Sequence, residues 1–124
     1  MRFSVFSPLL AVAFLSIPVV AQAASFKELS GQGYKVGALT NNKAGNQGWN
    51  LSKGSDRYFC EMRATMAYSG KKGIVSFTSA GRLIKLDRAT VEKRVGGSLD
   101  LPKYEDLKAG RLRADDVGSC RKLT

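Results

Sequence analysis

The 124-residue chain carries 20 Lys and Arg residues against 10 Asp and Glu residues, and it contains no histidine. Without histidine, the chain lacks the commonest general base, the usual activator of serine and cysteine nucleophiles, and the commonest metal ligand. The excess of positive charge favours anionic partners, although it would also serve solubility alone. Length and composition therefore predict a small basic binding protein rather than an enzyme.

The first 23 residues have the organisation of a cleavable signal peptide. Arg2 gives a positively charged start, a largely apolar run extends from Val5 to Ile17, and Pro18 breaks it. Ala21-Gln22-Ala23 supplies the small-x-small pattern that signal peptidase requires. A membrane-spanning helix needs roughly 20 apolar residues, and this run is shorter and interrupted. The pattern therefore favours cleavage over a retained membrane anchor.

Cleavage after residue 23 would leave a single small domain, residues 24–124. A domain of this size buries only a modest core. The signal predicts an exported protein, periplasmic or extracellular, with no integral membrane insertion after cleavage. The anionic partners of such an envelope are glycans, lipopolysaccharide, phospholipid headgroups and released nucleic acid.

The mature chain is predicted to begin with a helix and two strands. Ser25 and Glu28 fit the capping box of a short helix. Residues 34–39 and 49–53 alternate apolar and polar side chains, which predicts a strand in each segment. The polar loop at 41–48 consists of turn-forming residues.

The clearest periodicity in the chain lies between Tyr58 and Tyr68. Apolar side chains occupy every second position of this segment, which predicts one long strand with a buried side and a solvent-facing side. Cys60 falls on the buried side. In an oxidising compartment, Cys60 and Cys120 predict a disulfide that closes a loop of about 60 residues and ties the C-terminal tail to the middle of the chain.

Two more strands and two short helices complete the predicted fold. Residues 74–78 and 82–86 are the strands. Asp87 can cap a helix that Gly96-Gly97 ends, and residues 102–110 fit another short helix. The full pattern predicts the α+β class, with an antiparallel meander of about five strands, short helices and one disulfide.

No motif in the sequence predicts catalysis, a metal site or a cofactor. The glycine-rich segments lack the spacing of phosphate-binding loops. Residues 41–50 offer amides but no carboxylate for Ca²⁺. Two adjacent carboxylate pairs, Glu105-Asp106 and Asp115-Asp116, are interpreted as partners of nearby basic side chains rather than as a glycosidase pair. The sequence therefore predicts a non-enzymatic protein without a cofactor.

Binding through a basic surface is the first functional hypothesis. Inward packing of the predicted long strand would leave Arg57, Phe59 and Arg63 together on its other face, where an aromatic ring flanked by arginines suits anionic sugars or stacked bases. The competing interpretation is that Phe59 packs beneath a short helix, and that Trp49 belongs to the core. The full candidate surface for an anionic partner consists of Arg57, Phe59, Arg63, Lys71, Lys72, Arg82 and Lys85.

The second hypothesis is a protein–protein interaction or inhibitor module that uses a sheet edge or the 41–48 loop. The two hypotheses differ in where they place the charges. Convergence of the basic residues on one face favours an anionic envelope component. Scattered charges beside an exposed apolar edge favour a protein partner.

A short succession of residues resembles a pattern of small exported bacterial proteins. It consists of Gly33-Tyr34-Lys35-Val36, Leu51, Lys53-Gly54 and Tyr58-Phe59-Cys60. Those proteins have a signal peptide, a GY-x-V strand, a short turn and an aromatic-x-Cys strand. The resemblance implies a small envelope domain without catalysis, and it brings no known site.

Overall fold

The computed structural model describes residues 23–78 and 82–123, which form two antiparallel sheets and three short helices. The strands are β1 (Ala23–Ala24), β2 (Lys35–Val36), β3 (Thr40–Asn41), β4 (Gln47–Lys53), β5 (Asp56–Met62), β6 (Met66–Ser69), β7 (Gly73–Phe77), β8 (Leu83–Asp87) and β9 (Val117–Lys122). The helices are α1 (Phe26–Gly31), α2 (Arg88–Val95) and α3 (Tyr104–Ala109), and a 3₁₀ turn covers Ala114–Asp116. The predicted α+β class, with antiparallel strands, short helices and one disulfide, is confirmed. Of the predicted signal peptide, residues 1–22 lie outside the described residues.

The first sheet has the strand order β1-β9-β5-β4-β2, and β3 also pairs with β4. Its centre is the β4–β5 hairpin, whose two-residue turn begins at Gly54. Gly54 has a φ of +61°, which tight hairpin turns require and which glycine adopts without strain. β9 then lies beside β5, so the C-terminal part of the chain is an internal strand of this sheet.

The periodic segment Tyr58–Tyr68 is divided between the two sheets. After β5, the N–H groups of Arg63 and Ala64 both donate to the carbonyl oxygen of Asp116, over 2.8 and 3.2 Å. These bonds turn the chain, so that β6 begins in the second sheet. The predicted buried side is also wrong in β6, where Ala67 is fully buried and Met66 and Tyr68 are only partly buried. Alternation of apolar residues does not report which strand a segment pairs with. One continuous pattern therefore spans two strands.

The second sheet has the order β6-β7-β8. The outer side of β6 is covered in part, because the N–H of Tyr68 donates to the carbonyl oxygen of Pro102 over 2.8 Å and Tyr68 forms a bridge with Lys103. β8 occupies the opposite edge and continues directly into α2. This arrangement positions β8 and α2 together at one border of the molecule.

A single apolar core joins the two sheets. It includes Leu51 of the first sheet, Val75 of the second sheet and Leu107 of α3. Trp49 is fully buried, and its Nε1–H donates to the carbonyl oxygen of Leu107 over 2.8 Å. Trp49 therefore belongs to the core and fastens α3 to the first sheet.

The helix ends follow the capping signals of the sequence. Ser25 caps α1, and Glu28 completes the capping box: the Glu28 N–H donates to Ser25 Oγ over 3.1 Å and the Ser25 N–H donates to Glu28 Oε1 over 3.0 Å. Asp87 caps α2, and Gly96 ends it in the left-handed conformation. Both predicted caps are confirmed. The capping residues therefore determine where these two short helices begin.

The Asp87 cap gives a pH-dependent prediction for α2. The Oγ1–H and N–H of Thr90 donate to Asp87 Oδ2 over 2.7 and 3.0 Å. These two bonds, with the nearby Lys72 charge, lower the pKa of Asp87 because they stabilise the carboxylate. The Asp87 cap therefore stabilises the folded protein at pH values above the pKa that Asp87 has in the unfolded chain. This stabilisation is lost as the pH falls through the lower pKa of Asp87 in the folded protein.

We expect Thr90→Val to move the pKa of Asp87 back toward its ordinary value, because the Thr90 hydroxyl makes the strongest of these contributions. An NMR titration of the Asp87 carboxyl carbon measures the change. Thr90→Ser keeps a hydroxyl and serves as the matched control. Equal Asp87 pKa values in the Val and Ser variants would contradict this origin of the shift.

Candidate functional site

Arg57, Phe59 and Arg63 do not form an open basic face with an exposed ring. Phe59 is only 5% exposed. Its ring lies over Gly48 of β4, where an added Cβ would approach Phe59 Cζ to 2.8 Å. Arg57 and Phe59 line a depression with the 41–44 loop, whereas Arg63 lines a different one. Phe59 therefore packs on a second face of the sheet, above a glycine and beside a loop rather than beneath a helix.

The other four residues of the predicted surface lie at separate places on the second sheet. Lys71 and Lys72 occupy the turn between β6 and β7, at the end of the sheet where α2 begins. Arg82 precedes β8 at the opposite end, and Lys85 lies midway along β8. The seven predicted residues are thus distributed over both sheets rather than gathered on one face.

β8 is an open edge strand. It pairs with β7 on one side, and within the described residues no strand pairs with its other side. All five residues of β8 are exposed. The exposed large apolar side chains of the described residues are Leu83 at 38%, Ile84 at 50%, Leu86 at 37% and Val95 at 53%. All four belong to β8 or to the helix that follows it.

The other sheet edges in the described part of the chain are short or covered. β1, β2 and β3 have two residues each, and the 102–103 segment lies against β6. Proteins commonly protect their edge strands by shortening, covering or charging them. β8 is five residues long and carries two charged residues: Lys85 lies between its apolar residues, and Asp87 lies at its end, where it caps α2. It is therefore the edge with the most backbone and apolar surface available to a partner.

The backbone groups that β8 presents at its open side can be assigned from its pairing. The N–H of Arg88 donates to the β6–β7 turn over 2.8 Å, and the carbonyl oxygen of Arg82 accepts a bond from the residue after β7 over 3.0 Å. Hydrogen-bonding positions alternate along an antiparallel strand, so every second residue from Arg82 to Arg88 bonds toward β7. The N–H and C=O groups of Leu83 and Lys85 therefore point to the open side.

An apolar groove of about 310 Å³ runs between β8 and α2. Leu86 forms one wall, and Val91 and Val95 of α2 form the other. Arg94 also lines this groove, so a cationic group lies beside its apolar surface. The groove continues the exposed apolar surface of β8 onto the helix.

A polar network holds α2 against the second sheet. The Arg88 guanidinium lies 4.1 Å from the centre of the Tyr68 ring, and Arg88 Nε is 3.0 Å from Glu92 Oε2. The Tyr68 hydroxyl donates to Glu92 Oε2 over 3.1 Å and accepts from the Leu99 N–H over 2.9 Å. Cation–π contacts and charged hydrogen bonds of this kind fix side-chain geometry. This network therefore holds α2, which forms one wall of the groove, against the second sheet.

Positive charge is concentrated around this edge. The segment 71–97 contains seven basic and two acidic residues, a net charge of +5. Both acids have structural partners, since Asp87 caps α2 and Glu92 pairs with Arg88. In residues 23–78 and 82–123, ion pairs involve only Arg88, Arg111 and Arg113 among the basic side chains. The basic residues of the segment that have no carboxylate partner there are Lys71, Lys72, Arg82, Lys85, Lys93 and Arg94.

One carboxylate of each adjacent pair, Asp106 and Asp116, pairs with an arginine as interpreted from the sequence, whereas Glu105 and Asp115 form no ion pair among the described residues. Asp106 Oδ1 lies 2.8 Å from Arg111 Nε. Asp116 is buried and accepts two hydrogen bonds from Arg113, each 2.9 Å long, while Asp100 accepts a third over 2.8 Å. These bonds raise the pKa of Arg113 because they stabilise its cation. Asp100 and Asp116 thus hold Arg113 beside the 3₁₀ turn, and Asp106 holds Arg111 just after α3.

The described residues contain no cluster of three or more side chains suited to hold a metal ion. No helix among them has the length and apolar character needed to cross a membrane.

Cys60 and Cys120 form the predicted disulfide. Both residues are buried and lie directly opposite one another on β5 and β9. A disulfide of this kind indicates an oxidising, exported compartment.

The sequence predicts β8 as a strand but not as the open edge. The Leu83-Ile84-Lys85-Leu86 sequence contains a signal for it, because apolar residues at consecutive positions place apolar side chains on both faces of a strand. The last strand of a meander also lies at the border of its sheet. The contribution of α2 to the groove required the three-dimensional structure.

Comparison of the chain with protein-family models, with curated proteins and with solved structures finds no match. The resemblance to small exported bacterial proteins therefore stays a prediction.

Proposed function

We propose that this protein is an exported, non-enzymatic interaction module that binds another protein by strand addition at β8, in the periplasm or the extracellular space. One observation carries the proposal: the exposed large apolar side chains of the described residues all lie on β8 and α2. An edge strand with free backbone groups can pair with an extended segment, while an adjacent groove receives its side chains.

The separate positions of the seven predicted residues weigh against binding of a glycan, lipopolysaccharide, phospholipid or nucleic acid through that surface. Those residues lie on both sheets, and the aromatic ring among them is buried. The 41–48 loop is also a weaker candidate than β8. Asn42 Oδ1 already accepts hydrogen bonds from the N–H groups of Ala44 and Asn46, over 3.0 and 2.9 Å, so its polar groups serve the turn.

The proposed function predicts that Lys85→Pro abolishes capture of a protein partner, whereas Lys85→Ala retains it. Both substitutions remove the charge and the long side chain. Only proline also removes the outward N–H, at a position whose N–H does not bond β7. Immobilised mature wild-type and variant proteins, incubated with an envelope extract and analysed by mass spectrometry, measure the difference.

The expected result is a protein captured by wild type and by Lys85→Ala and absent from Lys85→Pro. Circular dichroism and urea unfolding establish that each variant is folded before capture. Leu83→Pro, at the other outward-facing position, repeats the test at a second site. Capture of the same proteins by wild type and by both folded proline variants would refute strand addition at β8.

A further inference from the structure

We infer that the segment received by β8 is an acidic extended strand of the partner protein, in which carboxylate side chains alternate with apolar ones. This inference rests on the proposed function and names the chemistry of the partner. It follows from two properties of the edge: the different character of its two faces and its unpaired charges.

The two faces of β8 select different side chains. In an added strand, successive side chains point to opposite faces of the sheet. On the face toward α2, they meet Leu86 and the apolar groove formed with Val91 and Val95. On the other face, they meet Leu83 and Lys85, which lie opposite Phe77 and Val75 of β7, and at the end of the strand Asp87, whose carboxylate is already bound by Thr90. The α2 face therefore selects apolar side chains, and the Lys85 face accommodates carboxylates.

The charges around the edge favour an acidic partner. Lys85 lies in the middle of β8, Arg82 precedes it, and Arg94 lies beside the apolar groove. None of these three side chains has an ion-pair partner within the part of the chain that the structure describes. An opposite charge across neighbouring strands stabilises their pairing, and a like charge destabilises it. Carboxylates in the added strand would supply the missing partners.

The same charges disfavour a second copy of this chain as the occupant. Antiparallel self-pairing of all five β8 residues would place Lys85 directly opposite Lys85. It would also bring together two surfaces that each carry the net charge of +5 of segment 71–97. A lysine in the middle of an edge strand commonly prevents self-association. Lys85 therefore opposes a homodimer and favours a carboxylate-bearing strand.

A set of labelled heptapeptides tests the inference directly. The probe alternates glutamate with valine, and the matched peptides carry threonine or lysine in place of glutamate. Fluorescence anisotropy with the mature protein measures their dissociation constants. We expect the glutamate peptide to bind at least about tenfold more tightly than the threonine peptide, because each carboxylate adds a charge-assisted contact, and the lysine peptide not to bind. Raising the salt concentration should weaken the binding of the glutamate peptide more than the binding of the threonine peptide.

Variants of the protein assign this binding to β8. We expect the dissociation constant of the glutamate peptide to be at least about tenfold higher for Lys85→Pro than for Lys85→Ala, because only proline removes a backbone donor. Arg94→Glu should weaken binding of this peptide by reversing the charge beside the groove. Lys27→Glu makes the same charge change on α1, at the first sheet, and should leave the dissociation constant unchanged.

The possible outcomes separate the inference from the proposed function. Equal affinity for the threonine and glutamate peptides, with both lost in Lys85→Pro, would overturn the acidic partner and leave strand addition in place. Equal binding of the glutamate peptide to Lys85→Pro and Lys85→Ala would overturn the inferred docking of the peptide on β8, and the capture experiment would then decide the proposed function. If heparin or anionic vesicles bind more tightly than the glutamate peptide, and Lys85→Pro leaves that binding unchanged, the partner is a polyanion and not an acidic strand. A concentration-dependent dimer lost in Lys85→Pro would replace the acidic strand by a second copy.

Discussion

Loss of the Cys60–Cys120 disulfide is expected to lower the free energy of unfolding by about 4 kcal/mol. The two cysteines are 60 residues apart in the sequence, so the bond restricts a large part of the unfolded chain. Because small domains have total stabilities of about 5–15 kcal/mol, this loss would remove a large fraction of the folding free energy.

The position of the disulfide adds a local reason for this effect. Cys60 and Cys120 are opposite each other on β5 and β9, and both side chains belong to the core shared by the two sheets. β9 in turn pairs with β1 on its other side. Reduction would leave two buried thiols in place of a covalent bond between strands from the middle and the end of the chain. The C-terminal strand would then depend on hydrogen bonds and packing alone.

Urea unfolding with and without dithiothreitol measures the contribution of the bond. Intact mass after alkylation counts the free thiols and establishes that reduction is complete. The double variant Cys60→Ala/Cys120→Ala controls for the reductant and should also show a large loss of stability. An unchanged unfolding midpoint in protein with two alkylated thiols would show that this disulfide contributes little.

The parts of the fold that sequence predicts well are those encoded by neighbouring residues. The capping box at Ser25 and the Asp87 cap each depend on residues three positions apart. The strands near 74–78 and 82–86 follow local composition, and each of their observed bounds differs by one residue. Backbone capping and short-range strand propensity act within a few residues, so one sequence is sufficient to locate them.

The parts that sequence does not predict depend on distant pairing. The polar segment around Cys120 gives little alternation, yet it forms β9 beside β5 because residues 60 positions away complete its ladder. The bend after β5 likewise depends on the carbonyl group of Asp116. The same limitation applies to the candidate site: Leu83 to Leu86 can be located as a strand, but its open side is defined by the absence of a neighbour among the described residues.

Trp49→Phe is expected to lower the free energy of unfolding by about 2–3 kcal/mol, through a void and a lost hydrogen bond. Trp49 is completely buried between the first sheet and α3. The smaller phenyl ring would leave part of that space unfilled. The Leu107 carbonyl oxygen would lose the 2.8 Å bond from the indole but keep the N–H of Gly110 at 3.3 Å. The void should therefore account for more of the loss than the hydrogen bond.

Replacement of Trp49 by β-(3-benzothienyl)alanine separates these two contributions, because the analogue exchanges the indole N–H for sulfur at nearly constant volume. The chain has a single tryptophan, so incorporation changes this site alone. We expect the analogue to lose about 1 kcal/mol, less than Trp49→Phe, in urea unfolding followed by circular dichroism. Equal losses for the analogue and for phenylalanine would mean that the bond to Leu107, and not the filled volume, holds α3 against the sheet. Since α3 and the 102–103 segment that precedes it lie against β6, the bond from Trp49 to α3 also connects the first sheet to the second sheet, which carries the open edge at β8.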